Sequence, residues 1–256
     1  MTEQTREPAL KLQKLRKVYG NKVVVNSIDL SVPAGSFFGI VGPNGAGKTT
    51  SLSMATGLLR PDGGTARIFG VDIWKEPEHA KALIGILPDG LAMPERLTGR
   101  EALTYLGLLR GLDADQVAKR TDELLDLLGF ADDNDTLIMD YSTGMRKKIG
   151  LATALLHAPK LLVLDEPFEA VDPVSASTIK MILQRFIANG GSVIFSSHVM
   201  ALVEQLCDSV AIIHKGEVMA AGTLEEVRQG QDLEQRFVEL VDGEVGGKKG
   251  LEWFAS

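Results

Sequence analysis

Short apolar runs separated by longer amphipathic stretches organise the chain. Residues 10–20 (LKLQKLRKVYG) and 22–32 (KVVVNSIDLSV) alternate or cluster their apolar positions and predict two strands. Residues 37–41 (FFGIV) form an apolar run that ends in a glycine-rich turn, and 48–59 (KTTSLSMATGLL) has helical character. ARIFG (66–70) predicts a further strand. Beyond residue 90 the period lengthens. Thr98-Gly99-Arg100-Glu101 is a capping-box pattern ahead of a helix over 101–111. In 113–130, Val117, Thr121, Leu124, Leu125 and Leu128 share one helical face, with Gly129 placed as a C-cap. The stretch 90–141 therefore reads as a helical insert. Strand signals return at 160–167 (KLLVLDEP), 191–198 (GSVIFSSH) and 209–218 (SVAIIHKGEV). Strands that alternate with helices predict an α/β core with parallel strands. The tail from 224 onward begins as an amphipathic helix and ends rich in glycine, with Trp253 and Phe254 reading as local packing or a loose end.

Composition narrows the classes. With 256 residues and 45% apolar side chains, the chain can bury a sizeable core, as one large domain or a core with a subdomain. Aromatics at 5% and a net charge of −7 argue against base stacking and against a nonspecific nucleic-acid binder. A single cysteine, Cys207, excludes an intrachain disulfide, fits a reducing compartment and reads as a small buried hydrophobe. No apolar stretch approaches the ~18 residues of a membrane span, and the N-terminus lacks the basic-then-apolar pattern of a signal peptide. The expectation is a cytoplasmic protein that acts at a membrane, if at all, through a partner.

Three segments carry candidate chemistry. Gly42-Pro43-Asn44-Gly45-Ala46-Gly47-Lys48-Thr49 satisfies G-x-x-x-x-G-K-[ST] after a strand and at the start of a helix. Glycines let successive N–H groups curl inward around an anion, and the helix N-terminus adds its positive dipole end. Lys48 then places a cation on the β- and γ-phosphates, and the Thr49 hydroxyl is a Mg²⁺ ligand. In LLVLDEP, Asp165 and Glu166 stand at the carboxyl end of a buried strand, where a parallel sheet opens its ligand crevice. Asp165 suits Mg²⁺ held through its water shell, and Glu166 suits a general base on an attacking water; the competing reading is a surface acidic pair. His198 ends an apolar strand and is either structural or in reach of the γ-phosphate. Pro88-Asp89-Gly90 is a turn by its chemistry, and whether Asp89 also stands beside a ligand stays open on the residues alone.

Taken in order, these motifs resemble the nucleotide-binding subunits of ATP-binding cassette (ABC) transporters. Tyr19 matches the aromatic that stacks on adenine, and Gly42 to Thr50 match the Walker A loop. YSTGMRKK (141–148) lies where the family has its LSGGQ signature, LLVLDEP matches Walker B, EAVDP (169–173) the D-loop with Asp172 at its acidic position, and His198 the switch histidine. The signature gives the match its specificity: a Ser-x-Gly turn opens a helix whose dipole points toward an anion. Tyr141, Thr143 and Met145 depart from the signature, while Ser142 and Gly144 keep its serine and second glycine. The D-loop carries Ala170-Val171. Arg146, Lys147 and Lys148 read as a solvated basic face. Asp89 replaces the Q-loop Gln, which in the family reaches toward Mg²⁺ and the attacking water; this substitution resembles the exporter branch.

The resemblance implies an α/β fold: a phosphate-loop (RecA-like) ATPase core with an N-terminal antiparallel β subdomain and an inserted α-helical subdomain. One domain would span 1–256, with the core at 1–89 and 142–222, the helical subdomain at 90–141, and a C-terminal helix with a flexible tail at 223–256. It implies ATP and Mg²⁺ as ligands, with Thr49, Asp165 and Asp89 near the metal. It also implies a second nucleotide-binding subunit and an integral membrane permease, placing the protein at the cytoplasmic face of the membrane without nucleic acid. A soluble ABC ATPase acting on nucleic acid or ribosomes is the other reading; such proteins carry paired cassettes or long coiled-coil arms, which this acidic chain lacks.

Overall fold

A computed structural model describes residues 7–90, 92–130 and 135–242. The predicted tail beyond 242, with Trp253 and Phe254, lies outside the described residues. Two sheets organise the fold. Strands β1 (Leu10–Tyr19), β2 (Lys22–Val32), β4 (Gly63–Ile68) and β5 (Val71–Asp72) form an antiparallel sheet in the order β2-β1-β4-β5. Strands β3 (Phe37–Val41), β6 (Ile84–Leu87), β7 (Leu161–Leu164), β8 (Ser192–Ser197), β9 (Ser209–His214) and β10 (Glu217–Thr223) form the second, in the order β10-β9-β3-β8-β7-β6. All its neighbours run parallel except β10.

Every residue of β3, β7 and β8 is buried, which explains why β3 and β7 read as unbroken apolar runs. Their side chains alternate between two cores. Phe38, Ile40, Leu161, Val163 and Ile194 face Leu10, Leu15 and Ile28 of the antiparallel sheet, together with α1 (Lys48–Ala55) and α2 (Pro77–Leu83). Phe37, Val41, Leu162, Leu164 and Phe195 face the remaining helices. Those helices are α3 (Gly99–Leu109), α4 (Ala114–Leu128), α5 (Thr143–Leu155), α6 (Pro173–Ala188), α7 (Met200–Leu206), α8 (Leu224–Arg228) and α9 (Leu233–Asp242).

Within 90–141, the predicted capping box opens α3: Thr98 Oγ1 accepts from Glu101 N, and the Glu101 carboxylate accepts from Thr98 N. Gly129 ends α4 at φ 73. Val117, Thr121, Leu125 and Leu128 are buried on the predicted face, and Leu124 packs against the same core.

Three expectations change. Residues 209–218 are not one strand but a hairpin, because Lys215 and Gly216 turn at φ 47 and φ 81. The helix from 224 breaks into α8 and α9 where Gln229 and Gly230 adopt φ 52 and φ 82. The helix over 48–59 stops at Ala55, ahead of Gly57 at φ 76.

Candidate nucleotide site

The loop of residues 42–47 leaves the carboxyl end of β3 and enters α1. Gly47 sits at the N-cap of α1 at φ 105, and a Cβ there would lie 2.8 Å from the Val24 carbonyl, so only glycine is accommodated without strain. No side chain caps this helix, which leaves its leading N–H groups available to an anion. Residues 44–50 line a cleft of about 330 Å³ together with Val24, Asp89, Glu166 and Glu169. Lys48 Nζ donates to the Gly42 carbonyl at 2.8 Å and to that of Pro43 at 3.4 Å.

Across the cleft, β7 delivers Asp165 and Glu166. The Asp165 amide donates to the Leu87 carbonyl, and Ser196 Oγ on β8 donates to Asp165 Oδ1. Ser196 Oγ in turn accepts from the Glu166 amide at 2.9 Å. Glu166 is held at φ 45, a left-handed backbone that costs a non-glycine residue about 1–2 kcal/mol. Its carboxylate stands between two nitrogen groups: Oε1 is 3.4 Å from the Lys48 ammonium nitrogen Nζ, and Oε2 is 3.2 Å from His198 Nδ1. Lys48 and Glu166 are both buried, so each neutralises a charge that would be costly alone.

The predicted residues therefore divide into two groups. Walker A, Asp165, Glu166 and His198 converge on the strand ends. Gly144 and Asp172 meet elsewhere, where α5 and α6 begin, and Ser142 stands at the start of α5 beside them in sequence. Ser142 Oγ caps α5 by accepting from Met145 N at 3.2 Å. Asp172 caps α6, accepting from the Val174 and Ser175 amides. The Ser175 hydroxyl first, then the Ser175 amide, holds the Asp172 carboxyl below the ordinary carboxylate range. A Cβ on Gly144 would lie 2.6 Å from Asp172 Oδ2, so this glycine lets the starts of α5 and α6 meet. None of the three lines the phosphate cleft. Tyr19 is also outside it, half exposed at the end of β1 with the Lys17 ammonium 5.5 Å from its ring centre.

The basic run is not a solvated face. Arg146 donates to the carbonyls of Met139 at 2.9 Å and Tyr141 at 3.3 Å. Lys147 donates to that of Glu166 at 2.9 Å, and Lys148 to that of Leu128 at 2.9 Å. Asp89 follows β6 as a turn residue with Gly90 at φ 67, lines the cleft, and points its Oδ1 at Lys147 Nζ 3.7 Å away. Sequence reasoning missed Ser196, Glu169 and Lys147. Ser196 had a signal: a serine inside a fully buried strand must find a partner.

Among the described residues no group of three or more His, Cys, Asp or Glu forms a ready metal cage. The oxygen donors that Thr49 and Asp165 contribute nevertheless fit a hard cation that takes one or two protein ligands and completes its shell with phosphate and water.

A parallel sheet with a glycine-rich loop, a buried lysine and a carboxylate pair at its strand ends defines a phosphate-loop nucleoside triphosphatase. A family model described as ABC transporter matches residues 25–169. The daunorubicin/doxorubicin resistance ATP-binding protein DrrA of Streptomyces peucetius is 39% identical over 227 residues, 89% of this chain and 68% of that one. The bacitracin transport ATP-binding protein BcrA of Enterococcus faecalis is 35% identical over 245 residues, 94% of this chain and 78% of that one. A solved ATP-binding subunit of an ABC transporter superposes with a TM-score of 0.84 at 29% identity, covering 91% of this chain and 99% of the other. The chain belongs to the ABC transporter ATP-binding family: it is an ATP-binding and ATP-hydrolysing transporter subunit.

Proposed function

We propose that this subunit powers a separate integral membrane permease that exports its cargo, working at the cytoplasmic face of the membrane as one of two paired nucleotide-binding subunits. The resistance and transport roles in the names of its relatives support the export direction. No helix among the described residues is long and apolar enough to cross a membrane, which suits a subunit that borrows its pathway from a partner.

In this reading Tyr19 stacks on adenine and residues 42–50 cradle the phosphates, with Lys48 on the β- and γ-phosphates. Thr49 and Asp165 hold Mg²⁺, whose chemistry when bound is to neutralise charge on the phosphates. Asp89 stands at the cleft rim, within the same loop cluster. Glu166 takes the proton of the attacking water, and His198 orients the Glu166 carboxylate and reaches the γ-phosphate. Lys48, released from Glu166 by the arriving phosphate, frees the carboxylate to act as a base. Ser142, Gly144 and Asp172 meet the nucleotide of the second subunit, so the site is complete only in the closed pair, and ATP favours closure because it binds that state better.

The observation that carries this is the Glu166 carboxylate set between Lys48 and His198 at the phosphate loop. Glu166→Gln tests it: ATP is expected to bind with unchanged affinity in an equilibrium titration, while phosphate release stalls. Unchanged turnover would remove Glu166 from the base role.

A further inference from the structure

Lys147 stands in the second turn of α5, and its side chain is only 14% exposed. Its ammonium donates to the Glu166 carbonyl at 2.9 Å and lies 3.7 Å from Asp89 Oδ1. One side chain thereby joins α5, the loop after β6 and the loop after β7. The carbonyl it holds belongs to Glu166, a non-glycine residue at φ 45, and also accepts from the Glu169 amide at 3.2 Å. Such a backbone conformation persists only where its surroundings over-determine it. On the other side of the same residue, the amide is held by Ser196 Oγ at 2.9 Å. Both backbone polar groups of Glu166 are gripped, and the side chain that leaves between them meets Lys48 and His198.

We propose that Lys147 is a positioning residue for Glu166, with Asp89 as its counter-ion: the ammonium holds the Glu166 carbonyl, fixes the left-handed turn, and so fixes where the carboxylate stands. Lysine suits the task, because one compact charge with three donors serves a carbonyl and a carboxylate together. Asp89 keeps that part-buried cation paired, a task that needs no metal. The inference rests on reading Glu166 as the general base.

The test measures steady-state ATP hydrolysis by the purified full chain, with a thermal melt to confirm folding. Lys147→Met is expected to lower kcat about tenfold or more while KM for ATP stays within about twofold, the pattern of a lost transition-state contribution. Lys147→Arg, which retains the donors, is expected to regain about a third or more of kcat, and Asp89→Asn to lose about threefold. In a Glu166→Gln background, Lys147→Met is expected to leave the residual single-turnover rate where it was, because the two residues act as a unit. Wild-type turnover by Lys147→Met, or the same loss repeated in the Glu166→Gln background, overturns the positioning role. Should Lys147→Met not fold, Asp89→Asn decides: a folded variant with undiminished kcat overturns it. Should Glu166→Gln alone turn over normally, the base assignment falls and takes the positioning role with it; should Glu166→Gln stall while Lys147→Met does not, only the positioning role falls.

Discussion

The strand ends around the phosphate loop and the meeting point of α5 and α6 both carry the polar residues that the sequence marks out, yet they use them differently. At the strand ends the groups are engaged with one another: Lys48 with Glu166, Glu166 with His198, and Ser196 with Asp165 and the Glu166 amide. At the second place Ser142 and Asp172 cap helices, Gly144 provides close approach, and none of the three lines the phosphate cleft. The first region is a site within one chain. The second is a helix junction whose polar groups cap helices, and in the proposed reading it meets the nucleotide of a second subunit. Lys147 connects them, since it leaves the helix that Ser142 starts and ends on the carbonyl of Glu166.

The sharpest way to break this contrast is to strip the first region of its cation. Lys48→Ala removes the buried ammonium and leaves Glu166 with one fewer partner; ATP affinity is expected to fall about a hundredfold, the size of a lost charged hydrogen bond, in an equilibrium titration. Next comes Ser196→Ala, which unpairs the buried Asp165 carboxylate and the Glu166 amide at once. It is expected to cost about 1–3 kcal/mol of stability by urea denaturation and to lower hydrolysis with it. Gly144→Ala probes the second region: a Cβ against Asp172 is expected to push α5 and α6 apart, lowering stability by about 1–3 kcal/mol and hydrolysis by the pair, while ATP titrates into the single chain as before. The smallest effect belongs to Cys207. It is buried against Gly39, and burial pushes its thiol well above the ordinary range, so the folded chain is expected to resist iodoacetamide until it is denatured.

The sequence disclosed most of the first region because phosphate chemistry sets its spacing. A loop that must curl N–H groups around an anion needs glycines at fixed steps, and its lysine must follow at once. The carboxylates were legible because an apolar strand that ends in Asp165-Glu166 places them at a crevice. What stayed hidden depends on contacts between distant segments. Nothing local tells that Lys147 reaches a carbonyl 19 residues on, or that Ser196 spans 31 residues to Asp165. The hairpin of β9 and β10 was read through because Lys215-Gly216 is weak turn chemistry by composition, although its backbone turns sharply. Helix α6 was legible in principle: Asp172-Pro173 is a cap followed by a residue preset for the first helical position.

In the proposed reading, one chain leaves its site unfinished. Light scattering of the purified Glu166→Gln variant, with and without ATP and Mg²⁺, tests it directly. Twice the mass of the chain is expected when ATP is bound and cannot be hydrolysed, and the mass of one chain without nucleotide. A mass that stays that of one chain with ATP bound would contradict it.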